Sequence, residues 1–544
     1  MGGLLMNRFY RFKYFAAICC LVFLSLSLFA QNAVPETVEF SVPKNIFFTG
    51  EKVWIQASAY QNDKPSTSQV LYIELLNREN QSVYLSKFLL EKGELFHFLE
   101  IPKDIPSDHY LLRVFTRISP LVDLEKGLKQ QFVTIFNPKI PPAIAEDHPG
   151  FFENLPKSDT DLSISKPLAK AGEELSIRSN AFKESTKLFV KVYNPYLKDS
   201  EGLPSSAIYS GKAQGEFLPE LFGHIVAAQI DPRTVDTTKV YFLSVHGRES
   251  ALYTDRPDEK GKLYFDIGGL KHWDFMIAQA DQNGEMLDFE FLSPAVRTEF
   301  ASGFSFPELK ISPNDQPFLQ DLLISSGVQT FYTEKYEQEP IPVVTGFVAD
   351  RTFLLDDYTR FESVETVIKE YVPMVSVRTR QGKKEFRSVN EFGNTFTGNP
   401  LMLVDGMPVF DSDQLAAFNP KNFEKLEILS RVFYLNDQRY EGVMSFSSYQ
   451  SNVGGFPLPT NAFFKQTPGI QVPVQLEQET FGGSRINRGD FRSVLFWSND
   501  PKASKLNGDA LNLKTSDLSL PFEVELRENG EVIRRAYFRV QSPD

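Results

Sequence analysis

Cysteine is nearly absent from this sequence. The only two, Cys19 and Cys20, stand side by side inside an apolar run from Tyr14 to Ala30. That run follows Arg8, Arg11 and Lys13 and gives way to polar sequence at Gln31, the order of a secretory leader. Cleavage is expected after Ala30, although Leu28 stands where a small residue would suit better. The alternative is an uncleaved anchor, since the 17-residue run lies at the lower edge of what crosses a bilayer. A lipid-attachment site is not expected: Ile18 precedes Cys19, and apolar sequence continues past Cys20. Beyond the leader there is no disulfide, no thiolate metal site and no cysteine nucleophile. An exported chain is expected, in the periplasm or associated with the outer membrane.

Basic clusters are also missing. Lys and Arg number 57 against 70 Asp and Glu, a formal net charge of −13 that becomes −16 once the three leader cations are gone. Nucleic-acid binding needs clustered Lys and Arg facing phosphates, and binding to anionic lipid needs the same, so neither is expected. No second apolar run approaches a membrane helix, and the sequence past residue 450 is too short for a large transmembrane barrel. Tryptophan is scarce, at 3 residues, but Phe (49) and Tyr (20) are abundant, which suits half-buried strands. The length beyond the leader suggests roughly three to five domains.

Catalytic signatures are lacking. His97, His109, His148, His224, His246 and His272 show no pair at metal-ligand spacing, and there is no His-Glu-x-x-His. No metal and no cofactor is expected. Loop carboxylates leave calcium open, with Asp411-Ser412-Asp413 and Asp356-Asp357 as candidates whose ordinary reading is a helix cap or turn. There is no Gly-x-Ser-x-Gly elbow and no phosphate loop, since Ser210-Gly211-Lys212 has the wrong order. Arg488-Gly489-Asp490 spells an adhesion tripeptide but reads as a turn before the strand Val494-Leu495-Phe496-Trp497.

What is present is strand alternation. Residues 36–138 carry Val53-Trp54-Ile55-Gln56-Ala57, Leu71-Tyr72-Ile73-Glu74-Leu75 and similar runs, separated by turn residues at the spacing of a β-sandwich. The stretch Asn45-Ile46-Phe47-Phe48-Thr49-Gly50-Glu51-Lys52-Val53-Trp54-Ile55 resembles the opening of a macroglobulin-type sandwich. So does Ile101 to Tyr110, with Asp108 where that family usually has glycine. The trapping chemistry of that family is not carried over, because its thioester needs a cysteine.

Residues 139–160, with Pro141-Pro142, Pro149-Gly150 and Pro156, read as a linker. Residues 161–216 resume strand alternation, and 217–300 resemble a regulatory-type sandwich, with turns at Asp258-Glu259-Lys260-Gly261 and Asp281-Gln282-Asn283-Gly284. Periodicity then turns helical. Phe318, Leu319, Leu322 and Leu323 follow Pro317, and Phe361, Val364, Val367, Ile368 and Tyr371 share a face stopped by Pro373.

The sharpest signal is Pro400-Leu401-Met402-Leu403-Val404-Asp405-Gly406-Met407-Pro408-Val409, a buried strand running into a tight turn. Asn419-Pro420 then opens a short helix, followed by Phe423 to Leu429 and Tyr440-Glu441-Gly442-Val443. This block resembles the plug domain of TonB-dependent outer-membrane receptors, with no barrel after it. The resemblance implies a plug-like α+β domain over 301–450, with Val404, Asp405, Gly406, Pro408, Asn419, Pro420 and Gly442 as its motif and a possible partner surface. Residues 451–544 read as a C-terminal sandwich segment. The whole order resembles exported envelope proteins of Bacteroidetes.

The expected fold is mainly β: tandem immunoglobulin-like or macroglobulin-like sandwiches plus the small α+β domain. The expected function is non-catalytic binding or scaffolding of other envelope proteins, an outer-membrane barrel among the candidates, through the plug-like domain and sandwich edges. The alternative is a thioester-less, macroglobulin-like protease binder whose bait would lie in 139–160.

Overall fold

Strand alternation over the first hundred residues becomes two sheets that share one core. The computed structural model describes residues 34–541, except 184, 198–202, 249, 269–271, 281–286, 334–335, 339–345, 391, 477–488, 502–509 and 529. The leader, the Asp281 to Gly284 turn and Arg488 therefore lie outside the described residues. In the first sandwich, a four-stranded sheet (Thr37–Ser41, Lys52–Gln61, Lys64–Pro65, Glu94–Glu100) faces a five-stranded one. The order of the second sheet is Ile46–Phe48, Leu128–Phe136, Asp108–Thr116, Val70–Leu76, Ser82–Leu89. Val53, Ile55 and Leu99 from one sheet meet Ile73, Leu112 and Ile135 from the other. Asp108 begins a strand and does not have a positive φ, so glycine's freedom is not needed there.

The second sandwich is assembled from two distant parts of the chain. Its three-stranded sheet runs Leu162–Ile164, Glu174–Ser179, Ala510–Lys514. Its five-stranded sheet runs Leu168–Lys170, Glu531–Gln541, Pro521–Glu528, Lys187–Val192, Val494–Trp497. Strands from 161–216 and from the last fifty residues thus complete each other. The helix Gln316–Thr333, started by a capping box at Ser312 and Asp315, adds Phe318 and Leu322 to this core.

The third sandwich sits inside that interruption. Lys262–Asp266, Ile225–Gln229 and Glu290–Phe291 form one sheet. Ala251–Asp255, Tyr241–His246, Phe275–Ala280 and Phe463–Gln466 form the other. Its last strand comes from beyond residue 460, so it too is interrupted. The α/β unit of 347–456 fills that gap. The molecule is therefore mainly β, with sandwiches nested in sequence rather than strung one after another.

One sheet of the first sandwich is buried on both faces. Tyr72, Leu111, Phe115 and Phe132 turn away from its own partner sheet into the core of the third sandwich. This is why Val70–Leu76 is buried at every residue although its sequence alternates. Glu74 and Arg113, on that outer face, are fully buried and paired with each other.

Candidate functional site

The sequence motif that stands out most, Val404 to Phe446, folds as a strand–turn–helix unit. Its five-stranded sheet has the order Arg351–Leu354, Phe423–Leu429, Val443–Ser448, Leu401–Val404, Met407–Pro408. The helix Val364–Tyr371 lies against it, capped by Ser363, which accepts from Thr366 N. Asp411 caps the helix Ser412–Ala417 by accepting from Asp413 N and Gln414 N. Asn419 caps the single 3₁₀ turn Pro420–Asn422.

The Asp405-Gly406 turn joins Leu401–Val404 to Met407–Pro408 with φ of 48° and 76°. Both central residues have positive φ, as a two-residue hairpin turn requires. The Asp405 carboxylate points inward: it accepts from Ser448 N at 2.7 Å, Ser448 Oγ at 2.5 Å and Val453 N at 2.7 Å. Burial pushes its carboxyl pKa up, and these three donors oppose the shift. They also hold a loop in which the β-branched Val453 sits at φ 60°, a conformation that costs it energy.

The motif residues, read from the sequence as a possible partner surface, lie mostly inside the unit. Val404, Asp405, Pro408, Pro420 and Gly442 are buried, Gly406 is half-buried, and Asn419 is the exposed member. A side chain on Gly406 would stand 3.3 Å from the backbone of Ala251, and one on Gly442 would stand 2.7 Å from Leu429 O. The buried members of the motif build the unit, and Gly406 faces the third sandwich. Docking is on the third sandwich: Asn436 Nδ2 donates to Thr254 O at 2.9 Å, Arg256 pairs with Asp437 at 2.9 Å, and Phe410 packs edge-on against Phe242. Ile277 of that sandwich enters the core of the unit.

Because the Met407–Pro408 side faces the third sandwich, the opposite margin of the sheet points away from it. That margin is Arg351–Leu354, which pairs with Phe423–Leu429 on one side and with no other strand among the described residues. Arg351, Thr352 and Leu354 are exposed, and Val348 just before them is 78% exposed. Sequence reading missed this strand. Its signal, Thr352-Phe353-Leu354, is too short to separate from a loop.

The calcium candidates are engaged elsewhere. Asp411 caps its helix, Asp413 accepts from Lys384 N at 2.6 Å, and Asp356 binds Arg360 and Tyr449. No group of three or more metal-ligating side chains occurs among the described residues. The histidines lie apart. His97 and His109 are in the first sandwich, where burial pushes both down to about 4. His246 bonds Ser244 in the third, and His224 binds Glu220 at 2.9 Å. His148 stacks on Phe151 in the linker, and His272 is exposed. Asp490 of the tripeptide is buried and paired with Arg492 at 2.5 Å.

No protein-family profile and no curated protein matches the chain. Among solved structures, a Salmonella alpha-2-macroglobulin reacted with methylamine is 9% identical, aligned over 94% of this chain and 24% of its own, with a TM-score of 0.16. The native Escherichia coli alpha-2-macroglobulin is 10% identical over 94% of this chain and 22% of its own, also at 0.16. Three N-terminal domains of the bacteriophage RB49 outer capsid protein Hoc are 9% identical over 48% of this chain, at 0.12. The chain spans about a quarter of the length of these macroglobulins, and TM-scores this low define no shared fold on which to build.

Proposed function

We propose that this is a non-catalytic binding protein of the cell envelope, whose plug-like α/β unit grips a partner by strand addition at the open margin Arg351–Leu354. The observation that carries this reading is the position of that strand. It lies on the side of its sheet away from the third sandwich, with one set of backbone donors and acceptors unpaired by any other described strand. An incoming extended segment would satisfy those groups, and exposed Val348 and Leu354 would supply apolar contact. The nested sandwiches act as a rigid mount. Export, a position at the outer membrane and envelope proteins as partners belong to the same proposal, supported by the leader-like N-terminus and the acidic surface.

Proline substitution tests it. Successive N–H groups of a strand point to opposite sides, so one of Thr352→Pro and Phe353→Pro removes an outward N–H and the other an inward one. The variant that keeps the wild-type melting temperature should lose the partner that wild type recovers from envelope extract. Recovery unchanged in that variant would place the binding surface elsewhere.

A further inference from the structure

Away from the α/β unit, the seam between the first and third sandwiches holds a cavity of about 200 Å³. Lys87 reaches it from Ser82–Leu89, Lys465 from Phe463–Gln466 and His224 from just before Ile225–Gln229. Its apolar wall is made by Leu85, Val226 and Met276. No carboxylate among the described residues lines it. Glu220, the acid whose charge acts on Lys87, is engaged by Tyr72 at 2.7 Å, His224 at 2.9 Å, Ile225 N at 2.9 Å and Arg117 at 3.2 Å.

Neither lysine has a carboxylate partner among the described residues. Lys87 Nζ stands 5.7 Å from the Trp273 ring centroid and Lys465 Nζ 5.3 Å from that of Phe291. Aromatic faces attract such cations only weakly compared with an anion. Burial pushes Lys87 down to about 8; Glu220 pulls the other way, and the charge of Lys465 adds to the depression. Two like charges thus converge on a half-apolar hollow lined by no opposite charge among the described residues. A protein that needed only packing here would place an apolar residue at Lys87.

We propose that this seam binds a small carboxylate bearing a short apolar group, with Lys87 and Lys465 holding the carboxylate and Leu85, Val226 and Met276 receiving the apolar part. A hollow of this size is below that of drug-sized ligands and suits a branched short-chain acid or the last residue of a peptide. A hydrophilic anion such as phosphate would leave the apolar wall unused. The proposal is independent of the strand margin, since the two sites lie on different elements.

Thermal shift on the full chain tests it, with three probes: isovalerate, an apolar tetrapeptide with a free C-terminus, and the same peptide amidated. Isovalerate should raise the melting temperature in a saturable way. If the natural source is a peptide end, the free tetrapeptide should bind more tightly than isovalerate and the amidated one should not bind. Lys87→Met should weaken binding at least tenfold while melting at or above the wild-type temperature, because it removes a partly buried charge. Lys465→Gln should weaken it by a smaller factor. Equal shifts in wild type and Lys87→Met, or no shift with any of the three probes, would overturn the proposal.

Discussion

Arg113 and Thr298 are 185 residues apart in sequence, yet Nη1 of the first donates to Oγ1 of the second at 2.8 Å. The same guanidinium donates to Val296 O at 3.1 Å and, through Nε, to Glu74 at 2.8 Å. One fully buried side chain thus ties the first sandwich to the strand Arg297–Phe300, which pairs with Tyr209–Gln214. Arg113→Met leaves Glu74 charged and buried without its partner, and such losses run to about 3–5 kcal/mol. Urea denaturation should show a loss of that order. Replacing Glu74 by Leu in the same chain should recover much of it. A loss below about 1 kcal/mol would mean that the junction does not depend on this pair.

Acid should weaken the fold before the carboxylates titrate. His97 and His109 are held neutral by burial, with values near 4 against 6.5 when exposed. Their folded values are depressed, so unfolding takes up protons between these limits. The stability they contribute is complete above pH 6.5 and is lost as the pH falls towards 4. Between pH 7 and pH 5 the loss is on the order of 2 kcal/mol for each histidine. Chemical denaturation at the two pH values should show it, and His109→Gln should lessen the pH dependence by about one proton. A pH-independent stability over that interval would contradict the burial of both rings.

Asp405 holds the turn from inside. Asp405→Asn removes a charge that accepts three hydrogen bonds and should cost about 1–3 kcal/mol. Gly406→Ala places a Cβ at positive φ against the backbone of Ala251 and should cost about 1–2 kcal/mol. Melting of both variants measures this. Two neutral outcomes would mean that the turn is not docked on the third sandwich.

The linker bears on the protease-binding alternative. Residues 139–147 are largely exposed, but Ala143–Ile144 pairs with Lys310–Ile311 and the chain beyond is pinned too: Ser312 Oγ donates to His148 O at 2.6 Å, Phe151 N to Asp315 at 2.7 Å, and Arg539 to Phe152 O at 2.8 Å. A single proteolytic cut in 139–147 should leave the hydrodynamic radius unchanged, because the first sandwich stays attached through the core it shares with the third. A large change of radius after one cut would favour a bait mechanism.

Local structure was legible in the sequence where one residue type forces one conformation. The shared face of Val364, Val367, Ile368 and Tyr371 and the stop at Pro373 marked the helix Val364–Tyr371, and Asp405-Gly406 marked its hairpin. The nesting was not legible. Val494–Trp497 and Lys187–Val192 each read as an ordinary buried strand, and nothing in either says that they pair with each other. The inward hydrogen bonding of Asp405 was not legible for a related reason. Its hydrogen-bond partners, Ser448 and Val453, lie more than forty residues on, and only the folded chain brings them beneath it. The Lys87 cavity needs two sandwiches to exist, so neither of its lysines stood out among the 57 basic residues.

Strand addition at Arg351–Leu354 is the proposed means by which the chain grips a partner. A photo-crosslinking amino acid placed at exposed Thr352, with a second variant carrying it at exposed Glu259 in a turn of the third sandwich, tests this in cells. The expected result is a discrete adduct from position 352 that is absent from position 259. No adduct from 352, or the same products from both positions, would contradict it.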